Sequence, residues 1–158
     1  MPAEQVRGTA PWHLPTVYEE GLGAFLGELA LPHAAEAVGA ARRFTHCVTL
    51  LWGAPEVGEL AKLCVSEAVT NVYQHTKPEK GSQTRLILFR LGTRLRCEVH
   101  DPSRSVPKLT GASLLDESGR GMLLIDTIAQ QHGVYQTGNG KAVWFELEAW
   151  PADEQDHA

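Results

Sequence analysis

Glu67, Asn71 and His75 recur at i, i+4 and i+8, a spacing that sets three polar side chains in one line along a helix, beside an apolar stripe. An asparagine in that line offers a neutral amide oxygen to a hard cation such as Mg²⁺, which takes few protein ligands and relies on substrate phosphates and water for the rest. Glu67, one turn earlier, is placed to take a proton from an attacking hydroxyl or water, or to hold that nucleophile in line. A solvated helix face has the same spacing, so the line gains meaning only from other groups. Asp101 is one such group. It ends an alternating segment in which Leu95, Cys97 and Val99 share a face, and parity sends its carboxylate to that apolar side. A carboxylate delivered toward a core must find donors, and the exocyclic amino group of adenine is a suitable one, whereas guanine presents an acceptor there. An Asp before a Pro is equally a common turn residue. Gly119-Arg120-Gly121 closes an aperiodic stretch and opens a helix, which brings free N–H groups and the positive end of a helix dipole to where a polyphosphate would sit. A flexible helix entry has the same composition.

The elements that must position these groups follow from periodicity. Residues 24–31 form an expected first strand stopped by Pro32. Ala34, Val38, Ala41, Phe44, Val48 and Leu51 then recur every three or four residues, which predicts an amphipathic helix closed by Gly53. Pro55 suits the first turn of a second helix, whose buried stripe is Val57, Leu60, Ala61, Cys64, Ala68, Val69 and Val72 and whose end lies near His75. Past Gly81 the period falls to 2, and residues 85–91 and 94–100 read as a hairpin around Gly92-Thr93. Residues 102–118 show no period and are expected to act as a lid. A third helix from Met122 to Ala129 stops near Gly133, and residues 135–137 and 142–150 form a closing hairpin. This order predicts an α/β fold of the α+β two-layer kind, with helices on one face of a mixed, mostly antiparallel sheet.

Composition narrows the class. At 158 residues, 43% hydrophobic and 21% charged, the chain is expected to fold as one domain over about residues 22–150, with a flexible segment at 1–21 and an acidic tail at 151–158. Fourteen basic residues against 19 acidic ones leave a net charge of −5, so no general basic field exists to hold nucleic acid. No basic start with an apolar run and no uncharged segment near the ~18 residues of a membrane helix is present, and Cys47, Cys64 and Cys97 lack metal-ligand spacing. A cytoplasmic protein with reduced core thiols and no membrane or direct nucleic-acid partner is expected.

Glu67-x-x-x-Asn71 on a helix, Asp101 at a strand end and Gly119-x-Gly121 after a lid stand in the order of the GHKL, or Bergerat-fold, ATPases, which the sequence resembles over about residues 24–148. Within that group the segments Val65–His75 and Gly140–Phe145 are most similar to the bacterial anti-sigma factor serine/threonine-protein kinases. The resemblance implies a histidine-kinase-like ATPase fold that binds ATP with Mg²⁺ on Asn71 and uses Glu67 as catalytic base. It implies that Asp101 reads the adenine amino group and that Gly119, Arg120, Gly121 and Met122 approach the phosphates, with His75, Ser103 and Lys141 also at the nucleotide. The implied reaction is phosphorylation of a serine on a STAS-domain anti-anti-sigma protein, in a partner switch that also sequesters a sigma factor. Arg42 and Arg43 match a partner-binding position, and a homodimer is expected.

One box departs from the family pattern: Asp-x-Gly-x-Gly is here Asp101-Pro102-Ser103-Arg104-Ser105, without either glycine that lets backbone approach a nucleotide. The alternative is therefore a catalytically weak or inactive ATP-binding module that sequesters a sigma factor or STAS protein. The detached catalytic domain of a histidine kinase is a third reading, and a His-based metal enzyme lacks its HxxxH or HExxH spacing.

Overall fold

The computed structural model describes residues 23–75, 83–102, 120–138 and 140–152, with the side chains of 120–123 excepted. The elements run β1 (Ala24–Leu31), α1 (Glu36–Leu51), a 3₁₀ turn (Pro55–Val57), α2 (Gly58–His75), β2 (Thr84–Leu91), β3 (Arg94–Asp101), α3 (Arg120–Ile128), β4 (Gln131–Gln136) and β5 (Lys141–Glu148). The five strands form one sheet in the order β1-β2-β3-β5-β4. Among the described residues every pairing is antiparallel, in line with the mostly antiparallel sheet expected from the sequence, and no parallel pairing occurs among them. The expected segment at 1–21, most of the lid, including Ser103, and the tail beyond Ala152 lie outside the described residues.

Local chemistry accounts for the element boundaries. At the end of α1 the Gly53 N–H bonds the Leu50 carbonyl and the Ala54 N–H the Thr49 carbonyl, a Schellman closure that needs a left-handed residue. Gly53 supplies it with φ +75°. The β2–β3 turn places Gly92 first of its two residues at φ +58°, the sign that a tight hairpin of type II′ demands there. Pro55 opens the 3₁₀ turn that leads into α2.

The core lies between the helices and one sheet face. Ala37, Ala41 and Val48 of α1 and Ala61, Cys64, Val65, Ala68, Val69 and Val72 of α2 meet Leu86 and Leu88 of β2, Leu95, Cys97 and Val99 of β3, and Val143, Phe145 and Leu147 of β5. Such burial is worth roughly 25 cal/mol for each Å² of apolar surface removed from water. The α1 stripe is rotated from its expected position. Thr45 and Thr49 are buried, their hydroxyls donating to the Ala41 and Thr45 carbonyls, whereas Leu51, expected inside, is 82% exposed. Small hydroxyl residues let α2 approach closely here, with the Gly58 Cα next to Thr49.

Two further expectations are corrected. Gly133 does not stop the third helix but lies within β4, paired with Trp144. A Cβ there would come within 3.0 Å of three indole atoms, so the glycine makes room for the ring rather than for a helix end. Cys47 is exposed on α1, off the inward stripe, while Cys64 and Cys97 are buried thiols. Burial pushes the Cys64 thiol up to about 11 and the Cys97 thiol well above its ordinary value, so both stay protonated.

Candidate functional site

The α2 helix packs against β3 and α3, and its outer line carries the first expected site residues. Glu67 and Asn71 are half-buried and His75 is exposed, so the line climbs from the core margin to the surface. It does so because Cys64, Ala68 and Val72 turn inward on the neighbouring stripe and hold the polar line at the edge of the core. A separate apolar recess is lined by Leu31 and His33 with Val69 and Tyr73 of α2.

Asp101 follows parity. Its side chain is fully enclosed, on the helix side of the sheet and at the end of β3. The β3–β5 register sets Lys141 directly opposite, and the Lys141 ammonium lies 3.5 Å from the Asp101 Oδ2. A buried carboxylate needs such a partner, because an unpaired charge out of water is costly. Beside them Gly140 has no room for a side chain: a Cβ built there would meet the Asp101 carbonyl oxygen and the Pro102 carbonyl carbon. Thr137 closes the β4–β5 turn around it: the Thr137 N–H bonds the Gly140 carbonyl, and the Gly140 N–H bonds the Thr137 Oγ1. A methyl group at 140 would have to displace the end of β3. Gly140→Ala is therefore expected to destabilise the fold by about 1–3 kcal/mol, measured by urea unfolding; an unchanged midpoint would contradict this close approach.

Arg120, Gly121 and Met122 form the first turn of α3, while Gly119 lies outside the described residues. Arg42 and Arg43 stand on the exposed side of α1. Arg42 Nη1 donates to the Ser66 Oγ at 2.9 Å, so the guanidinium reaches α2 one residue before Glu67. Arg43 lies over Gly39 on its own helix.

A feature that the sequence reading missed occupies the sheet face away from the helices. Arg96 and Glu98 alternate outward from Leu95, Cys97 and Val99, yet both are buried. Arg96 Nε donates to Glu98 Oε2 at 2.7 Å and Nη1 to Glu146 Oε2 at 2.8 Å. Tyr135 donates its hydroxyl to Glu98 Oε1 at 2.6 Å, and His100 Nε2 is 2.8 Å from the same oxygen. The Arg96 guanidinium also lies 4.0 Å above the Trp144 ring. Burial alone pushes the Glu98 carboxyl up. The His100 hydrogen bond, the Arg96 charge and the Tyr135 hydroxyl outweigh it and hold the carboxyl below its ordinary value. The signal available in the sequence was the opposite-charge pair Arg96 and Glu98 at i, i+2, one strand face.

The donor set also bears on a divalent cation. Among the described residues no group of three or more His, Cys, Asp or Glu gathers into a metal cage. One half-buried amide on Asn71, with Glu67 one turn away, fits a cation that takes most of its ligands from phosphate oxygens and water. No helix among the described residues is long and apolar enough to cross a membrane.

The comparisons with known proteins agree with this geometry. The family model of the histidine kinase-like ATPase domain matches residues 31–147, from the end of β1 to the penultimate residue of β5. An uncharacterised protein of Streptomyces coelicolor is 38% identical over 81 residues, which cover 50% of this chain and 76% of that protein. With its antiparallel five-stranded sheet, the helices on one face and a match spanning nearly all of the described fold, the chain belongs to the histidine kinase-like ATPase domain family, a family of ATP-binding domains.

Proposed function

We propose that this chain is an ATP-dependent serine/threonine-protein kinase and anti-sigma factor, which phosphorylates a STAS-domain anti-anti-sigma protein and regulates a sigma factor by partner switching. The observation that carries this reading is the line Glu67 and Asn71 at the core margin of α2, in a family domain whose adjoining strand ends on a fully enclosed Asp101. In the reaction, the partner's serine Oγ attacks the γ-phosphorus of ATP, the new O–P bond forms as the bond to ADP breaks, and the serine proton passes to Glu67. Asn71 would hold Mg²⁺, which would supply neutralisation of the phosphate charge. Asp101 accepts from the adenine amino group, and the first turn of α3 lies toward the phosphates, where N–H groups and dipole favour anions. Arg42 and Arg43 contribute to the partner surface.

A second reading, a sequestering module with little or no transfer, is favoured by one observation. Pro102 follows Asp101 where the family pattern continues toward its first glycine, and Ser103 and Ser105 replace both glycines. Incubation of the full chain with labelled ATP, Mg²⁺ and candidate STAS proteins separates the two. Label on a partner serine is the expected result; partner binding that is complete without nucleotide and leaves no serine labelled would establish the module instead.

A further inference from the structure

Lys141 stands where a base-reading centre would need a donor. Asp101 and Lys141 face each other across the β3–β5 ladder and share the sheet face that meets the helices. The carboxylate is fully enclosed, while the Lys141 side chain keeps 15% exposure, so the acceptor is deep and the ammonium sits at the rim. Their contact is long. At 3.5 Å it falls well outside the 2.7–2.9 Å or so of a charge-assisted hydrogen bond, so charge holds the ammonium near the carboxylate without a tight bond. An ammonium has three N–H groups, and a largely enclosed one calls for close acceptors. Asp101 is its ion-pair partner among the described residues.

We propose that Lys141 is a specificity-determining residue for the nucleotide base, forming with Asp101 a two-point reader in which Asp101 accepts from the adenine 6-amino group and the Lys141 ammonium donates to the adjacent ring nitrogen N1. This rests on the reading of Asp101 as the adenine group. The order acceptor then donor, from the enclosed end to the rim, complements the amino group and N1 of adenine. It opposes the O6 and N1–H of guanine, which would set oxygen against carboxylate and hydrogen against ammonium.

Titration calorimetry of the full chain with ATP, 1-deaza-ATP and GTP, in the presence of Mg²⁺, tests the pair without altering the protein. The expected result is binding of ATP about 10- to 100-fold tighter than 1-deaza-ATP, which lacks the N1 acceptor, with GTP weaker than both. In Lys141→Met, whose folding is checked by thermal unfolding, ATP weakens by a similar factor and the difference between ATP and 1-deaza-ATP disappears. Equal affinity of the unaltered chain for ATP and 1-deaza-ATP overturns the proposal. So does tighter ATP binding by Lys141→Met, which would make the ammonium a plug over Asp101. Failure of every nucleotide to bind the unaltered chain overturns the underlying reading of Asp101 itself, a result distinct from the other two.

Discussion

Glu67→Gln is expected to slow phosphoryl transfer to a partner serine by about 10²- to 10⁴-fold, the range that a positioned general base supplies, while leaving ATP affinity within about twofold. Glu67 sits half-buried on α2, one turn before Asn71, so the side chain is held at the core margin. Glutamine keeps the length and the hydrogen-bonding amide oxygen but cannot take the proton, so the substitution separates proton transfer from binding. Because the carboxylate is not one of the enclosed groups, its loss should not unfold the protein. Single-turnover transfer from labelled ATP, beside calorimetry for nucleotide, reads the two effects independently. A rate unchanged by Glu67→Gln would remove Glu67 from the chemistry, and a parallel loss of ATP affinity would make it a binding residue instead.

The second large effect concerns stability. Glu98→Ala is expected to destabilise the fold by about 3–5 kcal/mol, because it leaves the buried Arg96 guanidinium without the partner of its Nε and removes the Oε1 acceptor shared by the Tyr135 hydroxyl and the His100 ring. For a domain of this size that corresponds to a fall in Tm on the order of 10 °C. Burial raises the Glu98 carboxyl, and His100, Arg96 and Tyr135 together lower it below its ordinary value of 4.5. A carboxyl held low in the folded state contributes stability that is fully present above its unfolded value, and that contribution is lost as pH falls through the folded one. Urea unfolding between pH 7 and acid should therefore show a steeper loss below about pH 4.5 in the unaltered chain than in Glu98→Ala. A destabilisation below about 1 kcal/mol would show that Arg96 finds compensation elsewhere, with Glu146 and the Trp144 ring the nearest candidates.

These two residues differ in how they came to view. Glu67 and Asn71 were legible from spacing, because the helical period sets every fourth residue in line, and the apolar residues beside them mark which way that line turns. Asp101 was legible from parity along a single strand, since alternate side chains must take opposite faces. Gly53 and Gly92 announced their turns because left-handed backbone is cheap only for glycine. Each of these depends on neighbours a few positions away along the chain.

Glu98 depends on more distant ones. Parity assigned Arg94, Arg96, Glu98 and His100 to one face, but whether a face meets water or is enclosed is not encoded in its period. The network forms because β3 pairs with β5, some 45 residues on, which brings Glu146 and Trp144 to Arg96, while β4 beyond it supplies Tyr135. Gly133 was read as a helix stop for the same reason: its cross-strand partner, Trp144, is invisible along the chain. Leu51 lay on the expected stripe and Cys47 was expected as a core thiol, and only the rotation of α1 left both exposed. Lys141 too became a partner of Asp101 through the β3–β5 register alone. Local period and turn chemistry thus determined the elements and the line of polar residues on α2, since torsional preference and side-chain direction are set within one or two turns of chain. The tertiary structure decided which charges are enclosed and which groups face each other, since strand order, register and helix rotation bring together residues that the sequence holds far apart.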